Sequence, residues 1–224
     1  MGPPIMIECT DAGLVPYERA LKWQKTLSGQ RRRQEIGDRL LLLEHPPVYT
    51  LGRRDASDDF LVPGEWITAN GIEIHKTDRG GRATYHGPGQ LVGYPIFRLQ
   101  ETIPGFVRKI EETLIRLLNH FHLEGHRDPR YPGVWLEERK IAALGLHVER
   151  GITTHGFALN VHCDLKPFRY IRPCGIPDRE VTSLEKELGW QPSMRDVKHT
   201  LLAVWAAVFK TNVTVGGISP SQPE

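Results

Sequence analysis

At 224 residues, the chain is long enough for one sizeable hydrophobic core and short for two independent domains; 39% hydrophobic and 25% charged residues exclude extensive disorder. Lys plus Arg number 29 against 27 Asp plus Glu, and the net charge of +2 gives no electrostatic reason to expect nucleic-acid binding. No run approaches the roughly 20 apolar residues of a membrane span, and MGPPIMIECT lacks the basic start and apolar core of a secretory signal, so no membrane association and a cytoplasmic location are expected.

IMIEC predicts a short strand ending at a turn over Asp11, Ala12 and Gly13. Tyr17, Ala20, Leu21, Trp23 and Leu27 then mark one face of a helix over 16–33. Four consecutive leucines in 39–44 predict a buried strand, and HPPVYTLGR adds a proline break, a β-prone VYT and a glycine turn. Residues 53–70 read as a polar surface excursion, and GIEIHKT as a half-buried strand. Next comes the densest feature, RGGRATYHGPGQLVGYP, with five glycines and two prolines; it matches neither a dinucleotide fingerprint nor a phosphate loop.

Phe106, Val107, Ile110, Leu114, Leu117, Leu118 and Phe121 form the apolar stripe of a strong helix beginning near Pro104. HRDPRYPG reads as a polar loop. Lys140 to Val148 and Thr154 to His162 predict an antiparallel strand pair turning at ERG, a firmer platform for chemistry than a linker. An irregular loop carrying RPCGIP leads to a short helix, and a last helix over 194–211 opens with Ser193 and Asp196 in a capping-box arrangement. Several strands mixed with three main helices predict an α+β fold with a mixed sheet. One catalytic unit is expected over 1–215, with a small C-terminal subdomain possible from about 178, and a mobile tail over 216–224.

Three cysteines without metal-ligand spacing read as reduced thiols, and the ten histidines form no H-E-x-x-H motif or cluster, so no metal site is expected. Cys174 stands out because Pro173 and Gly175 bound it: a turn there exposes a thiol beside a backbone amide, the arrangement a tetrahedral thioester adduct needs. A buried structural cysteine is the competing reading. Cys9 and Cys163 read as fillers of small apolar sites. Lys140 enters an apolar strand in RKIAALG; it either snorkels to water or, partly desolvated, exchanges protons with a thiol and an attacking amine. His86 and His155 could orient a thiol, donate to an acyl carbonyl or simply satisfy local backbone groups.

RGGRATYHGPGQLVGYP, RKIAALGLHVERGITTHGFALNV and FRYIRPCGIPDREVTSL, in this order and together with HPPVYTLGR, resemble the lipoyl(octanoyl) transferases over most of the chain. The resemblance implies a fold similar to the catalytic domains of biotin and lipoate protein ligases. It implies Cys174 as an acyl-thioester nucleophile and Lys140 as its acid/base partner. Arg79, Gly80, Gly81, Tyr85, His86, Gly87, Gly89, Gln90, Leu91, Thr154, His155 and Gly156 would wall the acyl and target-lysine pocket, with Ala143 and Gly151 in neighbouring segments. The implied donor is octanoyl acyl carrier protein, and the implied acceptors are lipoyl domains of 2-oxoacid dehydrogenase complexes and the glycine cleavage H protein. No metal or organic cofactor is implied, since the donor thioester carries the energy, and a monomer is expected.

Overall fold

The computed structural model describes residues 6–54, 57–172 and 180–216. Among them, eleven strands form two sheets. The larger is mixed and eight-stranded, in the order β11-β1-β2-β6-β10-β9-β8-β7, and the smaller runs β4-β3-β5. The large sheet comprises β1 (Met6–Leu14), β2 (Arg39–Glu44), β6 (Gln90–Ile96), β7 (His126–Asp128), β8 (Tyr131–Leu136), β9 (Arg139–Glu149), β10 (Ile152–Asn160) and β11 (Asn212–Gly216). The small one comprises β3 (Val48–Leu51), β4 (Glu73–Lys76) and β5 (Ala83–His86). β1 runs parallel to β2 and β11, and the strands from β2 through β7 pair antiparallel.

Helices α1 (Tyr17–Arg32), α3 (Ile103–His120) and α5 (Met194–Phe209) are the long ones; α2 (Gly64–Ala69) and α4 (Leu184–Leu188) are short. The large sheet separates its helices by face. Phe106, Ile110, Leu114 and Leu117 of α3 and Val197, Leu201 and Trp205 of α5 pack on Leu40, Leu42, Leu91 and Leu159. Ala20 and Trp23 of α1 pack on the opposite face, against Leu41, Leu43, Val92, Tyr94 and Ala158. Alternation along β2 and β6 divides the leucines between these two cores. Caps set the helix starts: Thr102 Oγ1 accepts from Gly105 N at 3.2 Å, and Ser193 Oγ from Asp196 N at 3.3 Å. No helix among the described residues is long and apolar enough to cross a membrane.

The predicted β9–β10 pair forms, with Arg150 and Gly151 both at positive φ in its turn. Differences from the sequence reading have physical causes. β1 does not stop at Asp11 but continues to Leu14 through a register shift. The glycine-rich segment contains β5 and β6; every residue of β6 is buried on one core or the other, which removes the alternation by which strands are recognised. HRDPRYPG folds into β7 and the start of β8, an edge location that tolerates proline and charge. The polar stretch over 53–70 holds α2. β11 extends through Gly216 on the outer edge of β1, so Gly216, expected in the tail, belongs to a strand; the rest of that expected tail, 217–224, lies outside the described residues.

Candidate active site

The small sheet faces the large one across a cleft. Its wider part is lined by Tyr17, Arg79, Gly81, Thr84, His86, Val92, Tyr94, Leu144, His155 and Phe157, among others. A second, smaller chamber is lined by residues that include Gln90, Lys140, Asn160, Phe168 and Val181. Thr84, Ala143 and Ala158 line both, so the two chambers adjoin. Both linings mix apolar side chains with a few polar groups, and Lys140 lies in the second, a composition suited to a ligand with an apolar tail and a reactive head.

Arg79 anchors the first wall. Its guanidinium donates through Nε and Nη2 to Thr50 Oγ1 at 3.0 and 2.8 Å, through Nη2 to Thr50 O at 2.6 Å, and through Nη1 to Gly80 O at 3.0 Å. The loop 79–81 runs where only hydrogens fit beside it. A Cβ on Gly52 would lie 2.3 Å from Gly81 O, and one on Gly145 would lie 2.8 Å from Gly80 O. Gly80 N donates to Leu146 O at 3.0 Å, tying the loop to β9.

Hydrogen bonds define the imidazoles. His45 Nδ1 donates to Val15 O at 2.7 Å, leaving Nε2 to accept from Tyr94 Oη at 2.7 Å. Burial pushes His45 down to about 4, and His86 well below the ordinary imidazole range. His86 Nδ1 donates to Gln90 Oε1 at 2.7 Å, and its Nε2 faces Thr50 Oγ1 at 3.5 Å. His155 has φ +56° within β10, and its Nε2 donates to Asp78 Oδ1 at 2.7 Å. That bond holds the Asp78 carboxyl at about 2, while burial outweighs the carboxylate and lowers His155. Near neutral pH the cleft therefore presents neutral imidazoles beside an ionised Asp78. Tyr17 and Tyr94 stay protonated, both raised by burial.

Lys140 is 5% exposed, with its Nζ over the Trp135 ring at 5.1 Å from the centroid. Its backbone is clamped from the other side: Lys140 N donates to Glu180 O, and Thr182 N to Lys140 O, each at 2.9 Å. The chain bearing Cys174 leaves the described residues after Arg172, whose N–H donates to Asp59 O at 2.7 Å, and re-enters at Glu180. Cys174 itself lies outside the described residues. Cys9 and Cys163 are buried, and burial pushes both thiols up to about 12.

Of the residues singled out in the sequence, Arg79, Gly81, His86, Gln90, Lys140, Ala143, His155 and Gly156 line the two chambers. Gly80 adjoins the cleft through the loop backbone. Leu91 faces the opposite core, and Tyr85 packs against Tyr49 and Phe168 beneath the small sheet. Gly87 and Gly89 shape the β5–β6 turn, where Gly89 N donates to Glu44 Oε2 at 2.7 Å. Thr154 is half-buried opposite His147 in β9, and Gly151 sits in the β9–β10 turn. The Thr153 and His155 amides are taken up by Phe97 O and Gln24 Oε1, so they do not face a ligand.

Thr50, Asp78, Tyr94 and Asn160 went unnoticed in the sequence. Only Asp78 carried a local signal, preceding RGG directly. Asn160 connects the parts: its Oδ1 accepts from Gln90 Nε2 at 2.9 Å and its Nδ2 donates to Thr182 O at 2.9 Å. A hydrogen-bonded path thus runs from His86 through Gln90 and Asn160 to Thr182, whose N–H donates to Lys140 O.

Residues 16–206 match the lipoyl protein ligase A/B catalytic domain. An octanoyltransferase of Rubrobacter xylanophilus is 50% identical over 202 residues, covering 88% of this chain and 90% of that protein. One from Alkaliphilus metalliredigens is 43% identical over 211 residues, covering 92% and 97%. The fold is similar to that in a structure of a bi-partite lipoate protein ligase and its E2 lipoyl domain from Thermoplasma acidophilum, at TM-score 0.76 and 16% identity over 97% of this chain and 89% of that one. The biotin protein ligase of Aquifex aeolicus is more distant, at TM-score 0.52 and 9% identity over 92% and 70%. A family match over most of the chain, with relatives of this identity aligned nearly end to end, establishes that the chain belongs to the octanoyltransferases of the lipoyl protein ligase A/B catalytic domain family.

Proposed function

We propose that the protein moves an octanoyl group from octanoyl acyl carrier protein to one lysine of a lipoyl domain or glycine cleavage H protein, through a thioester on Cys174. Lys140 takes the Cys174 proton. The thiolate attacks the donor carbonyl, the carrier thiolate leaves, and the Lys140 proton neutralises it. The acceptor amine then attacks the enzyme thioester and forms the amide. Its surplus proton passes through Lys140 to the departing Cys174 sulfur, restoring the starting state. Thioester energy drives both steps, so no nucleotide takes part.

The observation carrying this reading is the cleft: a chamber whose lining includes Val92 and Ala158 adjoins the one where Lys140 is hydrogen-bonded to the segment that follows Cys174, at Glu180 and Thr182. In this reading the tail lies in the first chamber, beside Arg79, Gly81, His86, His155 and Gly156, and the carbonyl sits at the Lys140 end. Relatives named octanoyltransferase support the acyl group, and a fold-mate solved with an E2 lipoyl domain supports the acceptor class.

Intact-protein mass spectrometry after mixing with octanoyl acyl carrier protein, without ATP, tests this. One octanoyl increment on the wild type, absent from Cys174→Ala and discharged by an apo lipoyl domain, is expected. Modification of the lipoyl domain only when ATP and free octanoate are supplied would replace the scheme with a ligase reaction, for which a similar fold exists in a lipoate-protein ligase A bound with ATP.

A further inference from the structure

We propose that Trp135 and Gly133 form a platform that positions the Lys140 side chain, an inference that rests on the reading of Lys140 as the acid/base group. β8 and β9 pair with a register shift between Val134 and Trp135: Gly133 lies opposite Ala143 and Val134 opposite Ala142, and Trp135 then falls opposite Lys140. The shift is what delivers an indole face to this lysine. Trp135 is 1% exposed, and its Nε1 donates to Tyr131 O at 3.4 Å, which restrains the ring.

Gly133 provides the second half of the platform. Its φ is +137°, and a Cβ there would lie 2.6 Å from Lys140 Cε, 3.3 Å from Nζ and 2.5 Å from Ala142 O. The lysine stem crosses the space that a side chain would fill. Gly133 N donates to Glu111 Oε1 at 3.1 Å, which fixes the platform to α3. An ordinary strand lysine extends its head to water. Here Cε passes over Gly133 and Nζ over the indole, a contact that strengthens in the protonated form Lys140 takes on accepting the Cys174 proton, while the backbone is pinned by Glu180 and Thr182. An acid/base group that must meet first a thiol and then an incoming amine gains from having its rotamers restricted beforehand.

The test combines a spectrum with kinetics, on full-length protein labelled with [ε-13C]lysine and with Lys140 assigned through Lys140→Arg. Ring currents should shift the Lys140 ε-CH2 protons upfield in the wild type. In Trp135→Leu the signal should return to the ordinary lysine position, and Trp135→Phe should leave it between the two. In octanoyl transfer, kcat should fall about 3- to 30-fold in Trp135→Leu, the range a cation–π contact spans, with KM for the carrier protein nearly unchanged and Trp135→Phe partly restoring the rate. An unshifted wild-type signal, or wild-type kcat in either folded Trp135 variant, overturns the platform. If Trp135→Leu does not fold, Trp135→Phe decides alone. Full transfer activity in Lys140→Arg instead overturns the acid/base reading and leaves the spectroscopic result standing.

Discussion

His45 offers a direct test of how the cleft wall is held. Its ring is fully buried, donates to Val15 O and accepts from Tyr94 Oη, and burial pushes its pKa from 6.5 to about 4. The unfolded chain binds a proton here below pH 6.5 and the folded chain does not until near pH 4, so acid favours unfolding. The stability contribution is complete above 6.5 and is lost as pH falls through the window down to about 4. Each unit in that window corresponds to about 1.4 kcal/mol, giving a loss of roughly 2 kcal/mol at pH 5. Urea unfolding of the wild type and His45→Gln at pH 7.5 and pH 5 measures it. At pH 7.5 the variant should be weaker by about 1–3 kcal/mol, for the buried hydrogen bonds removed. Between the two pH values it should lose about 2 kcal/mol less than the wild type, because titrations common to both proteins cancel in the difference. Equal losses in the two proteins would refute the assignment of His45 as a neutral buried donor.

Three further outcomes follow from the same geometry. Gly52→Ala places a Cβ 2.3 Å from the Gly81 carbonyl, so it should displace loop 79–81; transfer kcat/KM should drop at least about tenfold, with a stability loss of about 1–3 kcal/mol by urea titration. Arg79→Lys keeps the charge but cannot reproduce the fork onto Thr50, and it should reduce kcat/KM by about 10- to 100-fold in steady-state transfer assays. With thiols raised to about 12, Cys9 and Cys163 should resist iodoacetamide at pH 7.5 in the native protein and react once it is unfolded, as peptide mapping would show.

Much of the architecture was legible because it depends on local periodicity. The stripe from Phe106 to Phe121 specifies α3, the Leu40 to Leu43 run a buried strand, and the ERG turn an antiparallel pair, whatever surrounds them. The glycine-rich segment and Lys140 were also visible as places of unusual composition. Elements whose signal depends on neighbours were not: β6 is buried on both faces, β8 carries a proline at its outer end, and β11 is a strand only because β1 lies beside it. Among the site residues, Leu91 and Tyr85 share a motif with Gln90 and His86 yet point elsewhere, since neighbours along a strand face opposite ways.

The sequence by itself therefore determined the three long helices, the central hairpin and the list of reactive residue types, because each follows from contacts within a short stretch of chain. Only the tertiary structure decided which of those residues meet. Thr50 reaches Arg79, Asp78 reaches His155, Asn160 links Gln90 to Thr182, and Trp135 underlies Lys140, all through strand registers set by packing distant segments around two cores. A one-residue change in any of those registers would turn every such side chain to the other face, and nothing within a single segment specifies against it.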